Sequence, residues 1–391
     1  QGTRDFYPED FRQRDWLFNK WKDAAALFGF EEYDAPVVEH EALYLRKAGD
    51  DISQQLYSFE DKGGRRLSLR PEMTPSLARM VLAHRGTLSL PLKWFSIPQC
   101  WRYERMSRGR RREHYQWNMD IWGVSSVDAE GELLSAAVLS LKQMGLTSAD
   151  VGIKVVNSRL LLQNLFSLSG VKEDRFISTC LVVDRMGKLS ESDFMAQLVE
   201  AANISVDQAK NLLILLNEKD VTQLPEMTSD IRDLFNYCAS AGILDWVEFD
   251  ASIVRGLSYY SGIVFEGFDR SGQLRALFGG GRYDNVLTTL GSTSSIPAVG
   301  FGFGDAVIME LLEAKGLLPS LAQSRTVQIV VVALSGEVSS NAITCAAALR
   351  DAQFSTELLL HDNKFKRTLQ KANRLGAGNF VFEFCTQDVI P

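Results

Sequence analysis

The sequence predicts an α+β protein in which an antiparallel sheet is flanked by helices and interrupted by a helical insertion, followed by a smaller C-terminal α/β unit. Three observations support this prediction. Strands with alternating side chains flank a charged loop between Leu92 and Gly123, helical periodicity replaces strand-like runs from about residue 168 to 240, and strands alternate with helices near the C-terminus. We therefore predict a larger domain at 1–324, which includes the insertion, and a smaller one at 325–391.

Composition is that of an ordinary globular protein, with 46% hydrophobic and 23% charged residues among 391. A net charge of -7 argues against a uniformly basic nucleic-acid binder, although a local basic cluster can still bind RNA. The five cysteines are far apart and form no C-x-x-C pair, so the sequence predicts neither a zinc site nor a disulfide framework. No apolar run is long enough to span a membrane.

The cysteine pattern favours a reducing compartment over secretion. The chain starts at Gln1 and not at a methionine, which is compatible with removal of a targeting peptide. We expect a cytoplasmic or organellar protein, in a mitochondrion or chloroplast after loss of a transit peptide.

The N-terminal elements follow from local signals. A helix opens at Pro8 with acids in its first turn and ends at Gly29. Tyr33–Val38 is predicted as a strand, and its proline, Pro36, suits an edge or an interface. Residues 54–69 are predicted as a hairpin that turns at residues 61–64.

The segment Arg70-Pro71-Glu72-Met73-Thr74 precedes a helix that is predicted to reach about His84. A carboxylate and a hydroxyl at such a strand-to-helix junction can hold an ammonium group. The alternative is that Thr74 simply caps the helix.

The central hairpin is the most informative stretch. From Arg102 to Arg112 there are six arginines against one acid, Glu104, and arginine matches phosphate oxygens through two parallel donors. In the strand that follows, polar residues alternate with apolar ones, which predicts that one face meets a ligand cleft. The alternative is a solvated, charged hairpin. The polar residues are His114, Gln116, Asn118 and Asp120.

The middle of the chain continues the α+β pattern. A helix is predicted at Ala129–Met144 and a helix at Ala306–Lys315. Strands are predicted at Val151–Val156, Trp246–Ile253, Ser261–Phe268 and Gln273–Phe278. Two glycine-rich segments, GGGRYDN from Gly279 and GFGFGD from Gly300, suggest close backbone approach, and the second is predicted as a tight turn before a helix.

The C-terminal part is predicted as βαβαβ after a linker at Leu317–Arg325. Its elements are Val327–Leu334, Asn341–Ala352, Ser355–Leu360, Asn363–Arg374 and Asn379–Phe384. The sequence contains no P-loop and no hydrolase nucleophile elbow, which excludes those two enzyme classes.

One further segment carries charge among aromatic residues. Residues 254–262, VRGLSYYSG, place Arg255 beside Tyr259 and Tyr260 on a predicted strand. Either the arginine serves a ligand or it forms a salt bridge at the strand end.

These segments together resemble the histidyl-tRNA synthetases, a family of class II aminoacyl-tRNA synthetases. W-R-Y-E, a basic loop and H-Y-Q-W-N-M-D are similar to class II motif 2, whereas VRGLSYYSGIVFE and GGGRYD are similar to the two histidine-specific signatures. Residues 2–5, GTRD, also resemble the start of this family. The resemblance extends over essentially the whole chain.

The resemblance implies a role for each motif. Arg102 and Glu104 would hold the α-phosphate and the adenine end of ATP, and Arg255 would be the catalytic cation beside that phosphate. The loop around Arg110 and Arg112 would touch phosphates and the tRNA acceptor end. The residues implied in histidine binding are Glu72, Met73, Thr74, Gln116, Asp120, Arg255, Tyr259 and Tyr260.

The implied activity has two steps, which are formation of histidyl-adenylate from L-histidine and ATP, with Mg²⁺ on the phosphates, and transfer of the histidyl group to tRNA(His). Pro36 matches the interface proline of motif 1, which implies a homodimer. The C-terminal unit would be an incomplete anticodon-binding domain, since that domain normally continues beyond the point where this chain ends.

One departure lies in motif 3, where Val307 stands in the place of a phosphate-binding arginine. We expect that Arg282 or a motif 2 loop arginine such as Arg110 covers the γ-phosphate instead. The alternative is that magnesium and solvent suffice.

Two other functions remain open from the sequence alone. The first is a synthetase-like regulatory subunit that binds histidine without charging tRNA, although such proteins lack the arginine signature and the anticodon-binding domain. The second is a synthetase for proline, glycine or threonine, against which VRGLSYYSG argues.

Overall fold

The structure is a computed structural model that describes residues 2–45, 54–107, 109–156, 158–183, 186, 189–218, 229–250, 260–319, 327–333, 340–359 and 379–383. The chain divides into two compact units, one of Gln1–Asp5 and Trp16–Leu317, the other of Phe6–Asp15 and Leu318–Pro391. The division falls at the start of the predicted linker. The boundaries at 324 and 325 and the limits of the helical insertion stay predictions.

The larger unit contains a nine-stranded, mainly antiparallel sheet and a small three-stranded sheet. The strands of both sheets are β1 (Glu31–Glu32), β2 (Val38–His40), β3 (Ser58–Glu60), β4 (Arg66–Leu69), β5 (Leu92–Ser96), β6 (Gln99–Trp101), β7 (Glu113–Trp122), β8 (Val151–Val156), β9 (Val247–Phe249), β10 (Val264–Asp269), β11 (Phe278–Arg282) and β12 (Ala298–Gly304). The large sheet has the order β1-β5-β7-β12-β11-β10-β8-β9, and β6 also pairs with β7. Its pairs are antiparallel except β1 with β5 and β8 with β9.

Helices flank this sheet and form most of the segment between β8 and β9. The helices before the C-terminal unit are α1 (Pro8–Leu27), α2 (Glu41–Leu45), α3 (Thr74–His84), α4 (Asp128–Gln143), α5 (Ser158–Leu168), α6 (Phe176–Val183), α7 (Glu191–Ala202), α8 (Val206–Leu216), α9 (Ser229–Ser240), α10 (Val286–Thr289) and α11 (Asp305–Ala314). Helix α8 begins with a capping box, in which Ser205 and Gln208 satisfy each other's backbone N–H groups.

Large aromatic side chains fill the core beneath strand β7. Trp117 is fully buried, stacks on Trp21 of α1 with ring centroids 5.9 Å apart, and meets Phe301 of β12 edge to face. Met119, two residues further along β7, lies on the same face and is also fully buried. Packing on this face fixes the register of β7 and thereby directs its polar residues to the opposite face.

The two glycine-rich segments are central strands, β11 and β12, and the predicted tight turn at Gly300–Asp305 is wrong. The predicted strand at Gln273–Phe278 is also misplaced, since β11 begins only at Phe278. A Cβ atom on Gly280 would lie 2.3 Å from the carbonyl oxygen of Gly300 and 2.6 Å from Cβ of Phe301. Only glycine fits there, which explains why residues with low strand propensity occupy the middle of the sheet.

The small sheet has the order β2-β4-β3, and its turn confirms the hairpin predicted at residues 61–64. The Asp61 carboxylate accepts hydrogen bonds from the backbone N–H groups of Gly63 and Arg65, both at 2.9 Å. The predicted strand Tyr33–Val38 is wrong in its bounds, since residues 33–37 form no strand and β2 begins at Val38.

The second unit contains a three-stranded parallel sheet. Its elements are β13 (Ile329–Ala333), α12 (Ser340–Asp351), β14 (Thr356–Leu358) and β15 (Asn379–Glu383), and the strand order is β14-β13-β15. The predicted helix at Asn363–Arg374 lies outside the described residues. None of the described helices, in either unit, has the length and apolar character needed to cross a membrane.

Candidate active site

A cavity of about 280 Å³ opens in the larger unit between the motif 2 hairpin and the strands β11 and β12. Arg102, Glu104 and Arg110 line one side, together with Arg111, which the sequence did not single out. Gln116 and His114 reach the same cavity from β7. The structure therefore brings together four motif 2 residues that the sequence assigned to ligand binding: Arg102, Glu104, Arg110 and Gln116.

Glycines on β12 make room for the polar face of β7. A Cβ atom on Gly300 would lie 2.1 Å from Oδ1 of Asp120, and one on Gly302 would lie 2.1 Å from Nε2 of Gln116. The other amide atom of Gln116, Oε1, is buried and has no hydrogen-bond partner among the described residues. A buried acceptor without a partner costs about 1–3 kcal/mol, so this oxygen is available to a donor from a ligand.

Asp120, on the same polar face of β7, is buried against a tyrosine. The hydroxyl of Tyr283 donates to Oδ1 of Asp120, and both side chains are buried. Tyr260 lies beside Gly281, where an added Cβ would be 2.9 Å from its ring. The sequence missed Tyr283, although it belongs to the GGGRYD signature. Burial raises the pKa of Asp120 to about 7, and the Tyr283 hydrogen bond opposes that shift.

Asp120→Asn should change how stability depends on pH. Between about pH 4, where an unfolded aspartate titrates, and about pH 7, folded Asp120 keeps a proton that the unfolded chain has lost. The free energy of unfolding of the unmodified protein therefore falls as pH rises through this window, by up to roughly 1.4 kcal/mol per pH unit from this group. The asparagine variant lacks that term.

Urea denaturation of both proteins without ligands, at several pH values, measures the effect. We expect the stability of Asp120→Asn relative to the unmodified protein to rise from about pH 5 to about pH 7 and then to level off. A difference that stays constant over this range would show that Asp120 is already ionised in the folded protein.

The segment from Arg70 to Thr74 is fixed around a buried arginine. The Arg70 guanidinium donates to the carbonyl oxygens of Ala35, at 2.7 Å, and Gln99, at 2.9 Å. Helix α3 begins at Thr74 with Met73 at the N-cap and without a side-chain cap hydrogen bond, so the alternative that Thr74 caps the helix is wrong. Met73 is fully buried, whereas Glu72 and Thr74 are half-buried.

The arginines of motif 2 differ in their contacts. Nε of Arg102 donates to the carbonyl oxygen of Pro71 at 3.0 Å, which ties the cavity to the segment before α3. Arg110 forms an ion pair with Glu104. Arg112 lies over the ring of Tyr103, 4.2 Å from its centroid, and is not among the described residues that line the cavity.

The N-terminal GTRD segment holds the motif 2 strand against the motif 3 helix. Arg4 pairs with Glu113 at 2.9 Å and with Asp305 at 2.8 Å, and Asp305 also accepts from the backbone N–H of Tyr115. Burial raises the pKa of Asp305, which Arg4 opposes. This network positions β7 relative to the start of α11.

Arg282 does not lie where the sequence led us to expect. Its guanidinium binds the fully buried carboxylate of Glu130 through two nitrogens, at 2.6 and 2.7 Å, and donates to the carbonyl oxygens of Val124 and Ser126. It lines a different cavity, with Glu130 and Asp284. Because these contacts occupy the guanidinium, the structure does not support Arg282 as an ATP ligand.

Val307 is covered by the motif 2 loop. A Cβ atom on Gly109 would lie 3.0 Å from Cγ2 of Val307, and the Gly109 N–H donates to Glu310 of the same helix at 3.0 Å. Val307 lines the cavity as an apolar residue and is only 8% exposed. Arg255 and Tyr259 lie outside the described residues.

The chemistry of the cavity fits Mg²⁺ only as an ion carried by phosphates. No group of three or more potential ligands among His, Cys, Asp and Glu occurs in the described part of the chain. Among the described lining residues, Glu104 supplies the one carboxylate. Mg²⁺ commonly binds through one or two carboxylates together with substrate phosphates and water. His114 is not suited to bind a phosphate as a cation, since burial, Arg102 and Arg4 lower its pKa to about 3.

Comparison with known proteins places the chain in one family. The family profile described as histidyl-tRNA synthetase matches residues 2–305. The chain is 50% identical to the histidine–tRNA ligase, chloroplastic/mitochondrial, of Arabidopsis thaliana over 97% of this chain and 79% of that protein. It is 38% identical to the histidine–tRNA ligase of Opitutus terrae over 96% of this chain and 88% of that protein.

Solved structures support the predicted fold. Histidyl-tRNA synthetase from Nostoc sp. matches with a TM-score of 0.81 and 21% identity, over 96% of this chain and 89% of that one. An ATP phosphoribosyltransferase regulatory subunit/histidyl-tRNA synthetase from Bacillus halodurans matches with a TM-score of 0.80 and 22% identity, over 98% and 97%. These likenesses confirm the class II synthetase fold, and the profile with the two ligases shows that the chain belongs to the histidyl-tRNA synthetase family.

Proposed function

We propose that this chain is a histidine–tRNA ligase, which activates L-histidine with ATP and transfers the histidyl group to tRNA(His). Membership of the histidyl-tRNA synthetase family supports this function. It also implies the use of ATP, since aminoacyl-tRNA ligases activate their amino acid with ATP. The observation that carries it in the structure is the polar face of β7. There, Gln116 and Asp120 lie against glycines of β12, beside a cavity lined by Arg102 and other arginines.

Histidine would lie along this polar face. The buried Oε1 of Gln116 is placed to accept a hydrogen bond from the α-ammonium group, with Glu72 and Thr74 as its other proposed partners. Asp120 and Tyr260 would bind the imidazole. Met73 is fully buried at the N-cap of α3, so it would shape the pocket by packing.

Activation requires a carboxylate to approach a negatively charged phosphate. An oxygen of the histidine carboxylate attacks the α-phosphorus, a new P–O bond forms, and the bond to the pyrophosphate oxygen breaks. Arg102 would stabilise the charge on the five-coordinate phosphorus, and by resemblance Arg255 would act from the other side. No general base is needed, because the carboxylate is already ionised at neutral pH.

The nucleotide would occupy the cavity between motif 2 and β11–β12. Glu104 is proposed at the adenine end and Arg110 at the phosphates, whereas Arg112, which is not among the described lining residues, is proposed to contact the tRNA acceptor end. Mg²⁺ carried in with the ATP phosphates would neutralise their charge and help to orient the leaving group. In the second step a ribose hydroxyl of the terminal tRNA nucleotide attacks the carbonyl carbon, and AMP leaves.

A homodimer and an organellar location are part of the proposal. Val37, which follows Pro36, and Val38 and Phe59 of the small sheet are each at least 40% exposed, as an interface between copies of the chain requires. The similar Arabidopsis thaliana ligase is chloroplastic/mitochondrial, which favours such an organelle. The C-terminal α/β unit would bind the anticodon.

The experiment that tests the proposal combines two assays on the purified chain. Histidine should support ATP–pyrophosphate exchange, and addition of tRNA(His) should yield histidyl-tRNA. A regulatory subunit would bind histidine but give neither product, so the pair of assays separates the two functions.

A further inference from the structure

The cavity has one wall rich in arginine and one wall with a single charged group. Arg102, Arg110 and Arg111 line the motif 2 side. The described residues on the opposite wall, formed by β11, β12 and the start of α11, are small or apolar with one exception, Arg275. Val307 stands on this same wall.

The backbone places Arg275 level with the first turn of α11. Strand β11 pairs with β12 through Phe278 and Phe303, and the N–H of Gly304 donates to the carbonyl oxygen of Leu277 at 3.3 Å. This hydrogen bond extends the antiparallel pairing by one residue, to Leu277 and Gly304. Arg275 lies two residues before Leu277, so the same spacing places its backbone opposite the start of α11.

A turn held by one carboxylate fixes the approach to Arg275. Asp269, at the end of β10, accepts from the backbone N–H groups of Ser271, Gln273 and Leu274 at 3.0 to 3.3 Å. Burial alone would raise the pKa of Asp269, but the hydrogen bond from the Ser271 hydroxyl and these backbone hydrogen bonds outweigh it, and the pKa is lowered. The segment that carries Arg275 is thereby anchored, and Arg275 is an exposed residue that lines the cavity.

Arginines along a bound triphosphate would pair with its negatively charged oxygens. Arg102 is tied to Pro71, next to the proposed amino-acid end of the site, so it suits the α-phosphate. Val307 offers no charge, and Arg282 is held by Glu130. Among the described residues that line the wall carrying Val307, the positively charged one is Arg275.

We propose that Arg275 binds the β- and γ-phosphates of ATP from the wall that carries Val307. This inference rests on the proposed function, because it assumes that the cavity binds ATP. It assigns to a residue of the β10–β11 connection the charge that motif 3 lacks in this chain.

Calorimetric titration of the full chain with α,β-methylene-ATP, which cannot be cleaved between the α- and β-phosphates, and with AMP tests the proposal. Arg275→Ala should weaken binding of the ATP analogue roughly tenfold or more and change binding of AMP less than about twofold. Arg85→Ala is the matched control, since it removes the same charge from an exposed position where the guanidinium donates to Ser292. We expect the control to bind both ligands like the unmodified protein.

Two results would overturn the proposal. Unchanged binding of the analogue would show that Arg275 does not reach the phosphates, and equal weakening of analogue and AMP would place its effect at the nucleoside or α-phosphate. Histidine-dependent exchange by the unmodified protein is measured in parallel. If exchange is absent but Arg275→Ala selectively weakens the analogue, the proposed function fails and the phosphate contact stands. If exchange is present and the Arg275→Ala variant binds the analogue as tightly as the unmodified protein, the proposed function stands and the proposed phosphate contact of Arg275 fails.

Discussion

Arg102→Ala should lower histidine-dependent ATP–pyrophosphate exchange by roughly 10²–10³-fold, the usual cost of removing one preorganised group that stabilises transition-state charge. Arg102 lines the cavity, and its Nε is held by the carbonyl oxygen of Pro71, so the guanidinium is positioned before ATP binds. Loss of that one hydrogen bond should cost only about 1 kcal/mol of stability. Steady-state exchange kinetics and thermal unfolding measure the two effects.

Arg102→Lys is the matched variant, since it keeps the charge and loses the planar pair of donors. We expect intermediate activity from it, because lysine binds phosphate as a point charge. If Arg102→Ala instead lost activity only in proportion to unfolded protein, Arg102 would have a structural role.

Arg282→Ala should destabilise the protein by about 3–5 kcal/mol, as is typical when one partner of a buried ion pair is removed. Glu130 is fully buried, and Arg282 neutralises it while donating to Val124 and Ser126. Burial raises the pKa of Glu130 even with Arg282 present. Without the arginine, this carboxyl would have to take up a proton or stay buried as an unpaired charge. Urea denaturation gives the free energy of unfolding.

Lys315→Ala is the control for this prediction. It breaks an ion pair with Asp150 in which the lysine is exposed to solvent, so we expect a much smaller loss of stability than for Arg282→Ala. The folded fraction of Arg282→Ala should retain its Michaelis constant for ATP. If stability were instead unchanged and that constant rose, Arg282 would contact ATP after all.

The polar face of β7 could be predicted because its pattern is local. Gln116, Asn118 and Asp120 alternate with Trp117 and Met119, and a period of two assigns them to opposite faces without knowledge of the rest of the fold. The hairpin turn at Asp61 could also be predicted from the sequence, because short polar residues and glycines within a few positions determine it.

Strands β11 and β12 could not be predicted in the same way. Glycine is disfavoured in strands, and what selects it here is the approach of distant groups, such as Asp120 against Gly300 and Tyr260 against Gly281. These contacts join residues far apart in sequence. The glycines indicate that other groups approach the backbone closely, but the sequence does not identify those groups.

The arginines show a second limit of sequence analysis. Arg282 and Arg275 lie seven positions apart in the same glycine-rich region, yet one binds buried Glu130 and the other lines the cavity. Local pattern gives no means of choosing between them, because the outcome depends on the position of α4. The GGGRYD signature points to Arg282, whereas no local pattern gives a role to Arg275 or Tyr283.

Exchange of pyrophosphate into ATP, measured separately with each of the common amino acids, tests the central claim most directly. The assay is independent of tRNA, so it isolates the site formed by β7, β12 and the motif 2 hairpin. We predict exchange with histidine and almost none with the others, and a loss of histidine affinity in Asp120→Asn. Equal or faster exchange with proline, glycine or threonine, or none with any amino acid, would contradict the account.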